Sequence, residues 1–194
     1  MAYPRLNDAK LIGRIAEVFR ERGYEGSSLS ELAATVGLEK GSLYHRFPGG
    51  KDEMVEAVIA MVDSYLEENV FPILTGNGTP RDRAVKAARL LCEFYGAGTK
   101  ACTLDTLSIP ASNKSMQKSI RGSAQSLMNA FKRLAEECQV THEEAARRAQ
   151  NAIVTLEGSL IYARVLGDTG PFLRFIEDLP NMLTRKPAVS RKRR

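Results

Sequence analysis

The stretch Ser28-Leu29-Ser30-Glu31-Leu32-Ala33-Ala34-Thr35-Val36-Gly37-Leu38-Glu39-Lys40-Gly41-Ser42-Leu43-Tyr44-His45-Arg46-Phe47-Pro48 decides the fold. Ser28 and Glu31 have capping-box spacing, with serine at N-cap and glutamate at N3, and open a short helix through Leu32, Ala33 and Val36. Gly37 supplies a turn. A second short helix follows from Lys40 to about Phe47 and is stopped by Pro48-Gly49-Gly50. At 100° per residue Leu43 and Phe47 share one side of it, Gly41, Ser42 and His45 the opposite side, and Lys40, Tyr44 and Arg46 the flanks. A plain surface helix this short has no need of so many hydrogen-bonding groups on its outer half. A helix laid in a DNA groove does: glycine permits close backbone approach, Ser42 and Tyr44 can donate to phosphate, and Lys40 and Arg46 offer charge or base-edge contacts.

Upstream, Ile12, Ile15, Ala16 and Phe19 recur at helical steps and meet Gly23, so three short helices form a helix-turn-helix unit. The rest of the chain keeps the helical period. A helix is expected from Lys51 to about Val70, ending before Pro72. Thr79-Pro80 reads as N-cap and N1 of another, carrying Val85, Ala88, Leu91, Cys92 and Tyr95. Residues 96–113 are the least readable, with small residues and Pro110 against any long helix. The period returns from Lys114 through Ile120, Ala124, Leu127, Met128, Phe131, Leu134, Ala135 and Cys138. Thr141-His142-Glu143-Glu144 reads as a second capping box, opening a helix to about Leu166, and a last helix starts near Pro171. The chain is expected to be all-α, with a head at residues 1–50, a larger helical domain at 51–184 and a basic tail at 185–194.

Charge has to be located before it is interpreted. The 194 residues carry a net charge of +5, but the last ten hold Arg185, Lys186, Arg191, Lys192, Arg193 and Arg194 without an acid. The rest holds 22 bases against 23 acids, so the excess belongs to the tail, which is expected to add nonspecific attraction to polyanions. No apolar run approaches the roughly 20 residues of a membrane span, and the start Met1-Ala2-Tyr3-Pro4-Arg5 has no signal core, so a cytoplasmic location and no membrane partner are expected. Cys92, Cys102 and Cys138 are scattered, as in a reducing compartment, and no cluster has metal spacing, so neither metal nor cofactor is expected.

The 28–48 run strongly resembles the DNA-binding head of TetR-family transcriptional regulators, with Ala16, Phe19, Gly23 and Tyr24 matching the family's first helix. Pro48-Gly49-Gly50-Lys51, Leu156-Glu157-Gly158-Ser159-Leu160 and Arg164-Val165-Leu166-Gly167-Asp168 look like its LmrA/YxaF-like branch. The resemblance implies a bacterial repressor that binds a palindromic duplex operator as a homodimer and is released by a small effector, here a largely apolar one. It places Ser28 on a phosphate, Ser30 near the groove, Lys40, Gly41, Ser42, Tyr44 and His45 on the recognition surface, and Lys51 on a phosphate at the next helix's N-terminus. Two features depart from the pattern. Glu39 stands where many relatives cap with Ser or Thr, and the two-glycine loop is one residue longer than the commonest form.

For the larger domain, Phe94, Tyr95, Leu104, Met128, Phe131 and Tyr162 are candidate effector-pocket liners. Ala152, Gly158, Ile161, Phe172, Phe175, Ile176 and Leu179 are candidates for a four-helix dimer interface. Each could equally be plain core. An enzyme is disfavoured: His142 sits in a capping box, His45 in the head, and Gly96-Ala97-Gly98-Thr99-Lys100 lacks the ending of a phosphate loop. The alternatives are a DNA-binding regulator that senses thiol oxidation at Cys92 or Cys102, and a helical interaction protein that binds no DNA.

Overall fold

A computed structural model of the chain describes residues 8–108 and 114–186. All regular elements among these are helical: α1 (Asp8–Arg22), α2 (Leu29–Val36), α3 (Lys40–Arg46), α4 (Lys51–Tyr65), a π-helical turn (Leu66–Val70), α5 (Phe71–Thr75), α6 (Pro80–Phe94), a 3-10 turn (Gly96–Gly98), α7 (Thr103–Ser108), α8 (Lys114–Glu136), α9 (His142–Leu166) and α10 (Gly170–Thr184). The all-α reading is correct. Of the described residues, those up to Leu66 together with Ala101–Ala124 form one compact unit, and Glu67–Lys100 with those from Gln125 onward form a second. Pro110 and all of the basic tail except Arg185 and Lys186 lie outside the described residues.

In the first unit α1 packs against α2, α4 and α7, and α2 against α3. Its core gathers Leu11, Ile15, Ala16 and Phe19 of α1, Leu32, Ala33 and Val36 of α2, Leu43 and Phe47 around α3, and Met54, Val55, Val58 and Ile59 of α4. The i, i+3, i+4 spacing of these residues gives each helix one apolar stripe, and the stripes share one interior. Two further residues complete it from far along the chain: Leu107 of α7 and Met116 of α8, at 0% and 1% exposure. Arg20 of α1 donates from Nε to the hydroxyl of buried Thr103 at 2.9 Å, fastening α7 to α1.

In the second unit α10 packs on both α6 and α9. Phe172, Phe175, Leu179 and Leu183 of α10 are buried, as are Ala84, Ala87, Ala88 and Leu91 on α6 and Ala145, Ala149, Ala152 and Leu156 on α9. The alanines let the helix axes approach, and the phenylalanines fill the space that remains. Gly98 has φ of 92°, and a Cβ there would meet the Phe172 side chain at 2.9 Å, so backbone and packing both require glycine. Two buried arginines satisfy backbone carbonyls. Arg83 donates to Leu74 O at 2.7 Å and pairs with Glu137. Arg148 donates to Leu183 O and Arg185 O at the end of α10 and to Glu144.

Two local expectations need correction. The helical path from Lys51 does not stop before Pro72; it passes through the π turn into α5 and ends at Thr75. Pro72 lies in the first turn of α5, where a missing N–H costs little. Residues 96–108 contain the 3-10 turn and α7, both too short to show a period. At Thr141 only half of the box forms. The Thr141 hydroxyl accepts from Glu144 N, but the Glu144 carboxylate is bound by Arg147 and Arg148, which hold it below the usual carboxylate range. Thr79 caps α6 as expected, accepting from Asp82 N at 3.2 Å with Pro80 next.

Candidate nucleic-acid interface

The turn into the recognition helix is built by local chemistry. Ser28 Oγ accepts from Glu31 N at 3.2 Å, while Glu31 Oε2 accepts from Ser28 N at 3.0 Å, so the reciprocal box is complete. The bond from Ser28 N, then the Ser28 hydroxyl beside the carboxylate, then the charge of Arg22 lower the Glu31 pKa. Gly37 ends α2 with φ of 72°, left-handed, and its N–H reaches back to the carbonyls of α2. Leu43 is fully buried and Phe47 nearly so, which fixes the rotation of α3. Lys40, Gly41, Ser42, Tyr44, His45 and Arg46 are then all exposed, with Tyr44 at 44%. A Cβ on Gly41 would meet no atom within 4 Å, so nothing inside the protein demands a glycine there. Ser30 is exposed on α2. Glu39 occupies the N-cap of α3 without a side-chain capping bond.

Lys51 is placed less simply than the resemblance implies. Its ammonium donates to Tyr24 O at 2.8 Å and lies 4.1 Å from the centroid of the Tyr24 ring. Tyr24 in turn donates its hydroxyl to Asp52 Oδ1 at 2.5 Å and stacks on Phe19. Lys51 and Asp52 therefore tie the start of α4 to the end of α1, and this latch was not visible in the sequence spacing. Burial, then the bond to the Asp52 carboxylate and its charge, push the Tyr24 pKa up from 10.0 to about 12. The folded state thus favours the neutral phenol. Its contribution is complete below pH 10 and is lost as pH rises from 10 through about 12. Tyr24→Phe is expected to lower stability by about 1 kcal/mol at neutral pH and to flatten the fall of stability over that alkaline window. Urea denaturation at pH 7, 10 and 11.5 checks this; parallel profiles for the two proteins would contradict it.

The remaining sequence candidates divide by burial. Ala152, Phe172, Phe175 and Leu179 are buried within their own unit, which leaves Gly158 and Ile161 exposed and Ile176 half-buried. Tyr95 contacts the edges of Phe94 and Phe172, Phe131 is fully buried, and Met128 is half-buried. Leu104 packs against the core of the first unit, whereas Tyr162 is 61% exposed in the second. Sequence reading missed the exposed apolar side chains Val154, Val165, Leu166 and Leu173. For the first three the signal is an α9 that is apolar on more than one face; Leu173 lies on α10. Among the described residues no three His, Cys, Asp or Glu gather as metal ligands, and no helix is long and apolar enough to cross a membrane.

Residues 11–58, from the first helix of the head into α4, match the family model for bacterial regulatory proteins of the tetR family. The HTH-type transcriptional regulator LmrA of Bacillus subtilis is 23% identical over 189 residues, covering 91% of this chain and 96% of that protein. The fold is similar to a TetR transcriptional regulator from Legionella pneumophila, with a TM-score of 0.82 and 16% identity over 94% of this chain and all of that one. It is similar also to the TetR-family regulator CifR, solved with a 26 bp double-strand operator, with a TM-score of 0.72 and 19% identity over 96% and 100% of the two chains. A head with these helices and this exposed recognition surface defines a DNA-binding transcriptional regulator, not an enzyme. Residues 11–58 thus carry a head of the tetR family type, and the chain as a whole is similar to LmrA.

Proposed function

We propose that the protein is a cytoplasmic repressor that binds a palindromic operator as a homodimer and leaves it when a small, largely apolar effector binds. The observation that carries the DNA half is α3: Leu43 and Phe47 anchor it while every polar and charged group of its outer half faces outward. Residues 1–50 are the DNA-binding part, with Ser28, Ser30, Lys40, Gly41, Ser42, Tyr44 and His45 as its contacts, joined by Lys51 at the start of α4. Lys51 keeps two ammonium protons for phosphate beyond the one given to Tyr24. Residues 51–184 carry effector binding and dimerisation, and 185–194 add nonspecific attraction to the duplex. Phe94, Tyr95, Met128 and Phe131 of the second unit remain the proposed effector contacts.

Support for the dimer comes from exposure. Val154, Tyr162, Val165 and Leu166 on α9 are 59–73% exposed, and Ile161 and Leu173 are 38% exposed. Apolar side chains concentrated on the end of one helix and the start of the next are characteristic of surface covered in an assembly. A Cβ on Gly158 meets no atom within 4 Å, so a facing helix could approach closely there. Tyr162 belongs with this face rather than with an internal pocket. Of the two thiols of the oxidation-sensing alternative, Cys102 is buried and Cys92 half-buried, so neither is openly presented to an oxidant.

The test is capture of fragmented genomic DNA by the purified protein at two salt concentrations, repeated with Tyr44→Ala. A palindrome bound tightly at physiological salt is expected, with binding about tenfold or more weaker for the variant at unchanged thermal stability. Motif-free binding that vanishes with salt would overturn the reading.

A further inference from the structure

Between Asp105 and Glu136 the sequence runs for thirty residues with five bases and no acid, in a chain that carries 23 acids. Three of the bases, Lys114, Lys118 and Arg121, lie in the part of α8 that belongs to the first unit, and all three are exposed. At 100° per residue they fall within about 60° of one another on the helix. The opposite side of the same turns carries Met116 and Ser123, at 1% and 2% exposure, with Ile120 packed against the core. The inner face is therefore anchored in the same core that holds α3, and the basic face is presented rigidly outward.

Its position in the unit follows from one contact. Ser115, beside Lys114, donates its hydroxyl to Glu56 Oε1 of α4 at 3.2 Å. Glu56 is five residues beyond Lys51, about 7.5 Å along α4 from its first turn. The carboxylate of Glu56 is thus committed to the serine at the edge of the stripe. The serines that follow fold their hydroxyls onto the helix itself, Ser119 onto Ser115 O and Ser123 onto Ser119 O.

We propose that Lys114, Lys118 and Arg121 form a second DNA-contacting surface, which binds phosphates of the duplex flanking the bases read by α3. This rests on the regulator reading. The chemistry is that of a polyanion track: three cations rising along one face at the spacing of helical turns, without intervening carboxylates. Such contacts add affinity without sequence preference, and each neutralised phosphate steepens the dependence of log K on log[salt] by about 0.9.

The full-length protein is compared with a triple variant, Lys114→Gln, Lys118→Gln and Arg121→Gln, on the operator recovered by capture. That duplex is used bare and extended by about one helical turn on each side. Fluorescence anisotropy over a salt series gives the slope, and thermal melting checks the fold. The wild type should bind the extended duplex more tightly than the bare one. The variant should lose that difference, with a slope lower by about 2.7 and a dissociation constant about tenfold higher. Equal slopes for variant and wild type, while the wild type still binds its operator, would overturn the second surface alone and leave the stripe to an acidic protein partner. A wild type that binds no duplex would overturn the regulator reading itself.

Discussion

Leu107→Ala is expected to destabilise the DNA-reading unit by about 2–5 kcal/mol, the range for truncating a fully buried leucine. Leu107 is at 0% exposure inside the cluster that contains Phe19, Leu32 and Leu43, although it lies 60 residues beyond the recognition helix. Its helix, α7, has only six residues and cannot be stable from its own hydrogen bonds. It stays in place because Leu107 is buried and because Thr103 is bound by Arg20. Deleting three heavy atoms leaves a void at that junction and loosens the α1 surface against which α2 and α4 pack. Urea denaturation followed by circular dichroism should show a lower midpoint, and operator affinity should fall with it as temperature rises. A loss below about 1 kcal/mol would mean that the site collapses freely and that α7 is peripheral to the head.

Val165→Asp is expected to convert the protein to a monomer. Val165 is 73% exposed, between Tyr162 and Leu166 on the apolar end of α9, so a change confined to that surface leaves the subunit core intact. In a covered interface the carboxylate would lose hydration without a partner, a cost of about 3 kcal/mol or more. That is about a hundredfold weakening of association. Analytical ultracentrifugation at micromolar concentration should show the monomer mass for Val165→Asp and the dimer for Val165→Leu. Operator binding should fall with dimerisation, because two half-sites are then no longer engaged together. A Val165→Asp protein that stays dimeric would place the interface on another face.

The head was legible because its determinants are local. Ser28 and Glu31 are three residues apart, Gly37 ends α2 within its own turn, and Leu43 and Phe47 differ by one helical step. Such relations survive in a linear string. Leu107 and Met116 were not assigned to that core because nothing near them in sequence says which helix they meet. The Lys51 ammonium was expected on a phosphate, yet its bond to Tyr24 O depends on a contact 27 residues away. In α9 and α10 the period identified apolar residues correctly but not their destination. Phe172 and Phe175 turned inward and Ile161 outward, since a helix apolar on two faces gives the same signal for core and for contact surface.

The participation of Leu107 and Met116 in the head's interior bears on how regulators of this kind can be recombined. A chimera joined near residue 50 would transplant a reading head while leaving behind two of the side chains that plug it. The new host would supply whatever its own α7 and α8 carry, with volumes matched to a different set of neighbours. Mismatched plugs would give proteins that recognise the intended operator only in the cold or at low expression. Grafts that carry residues 101–124 along with the head should be the ones that stay folded.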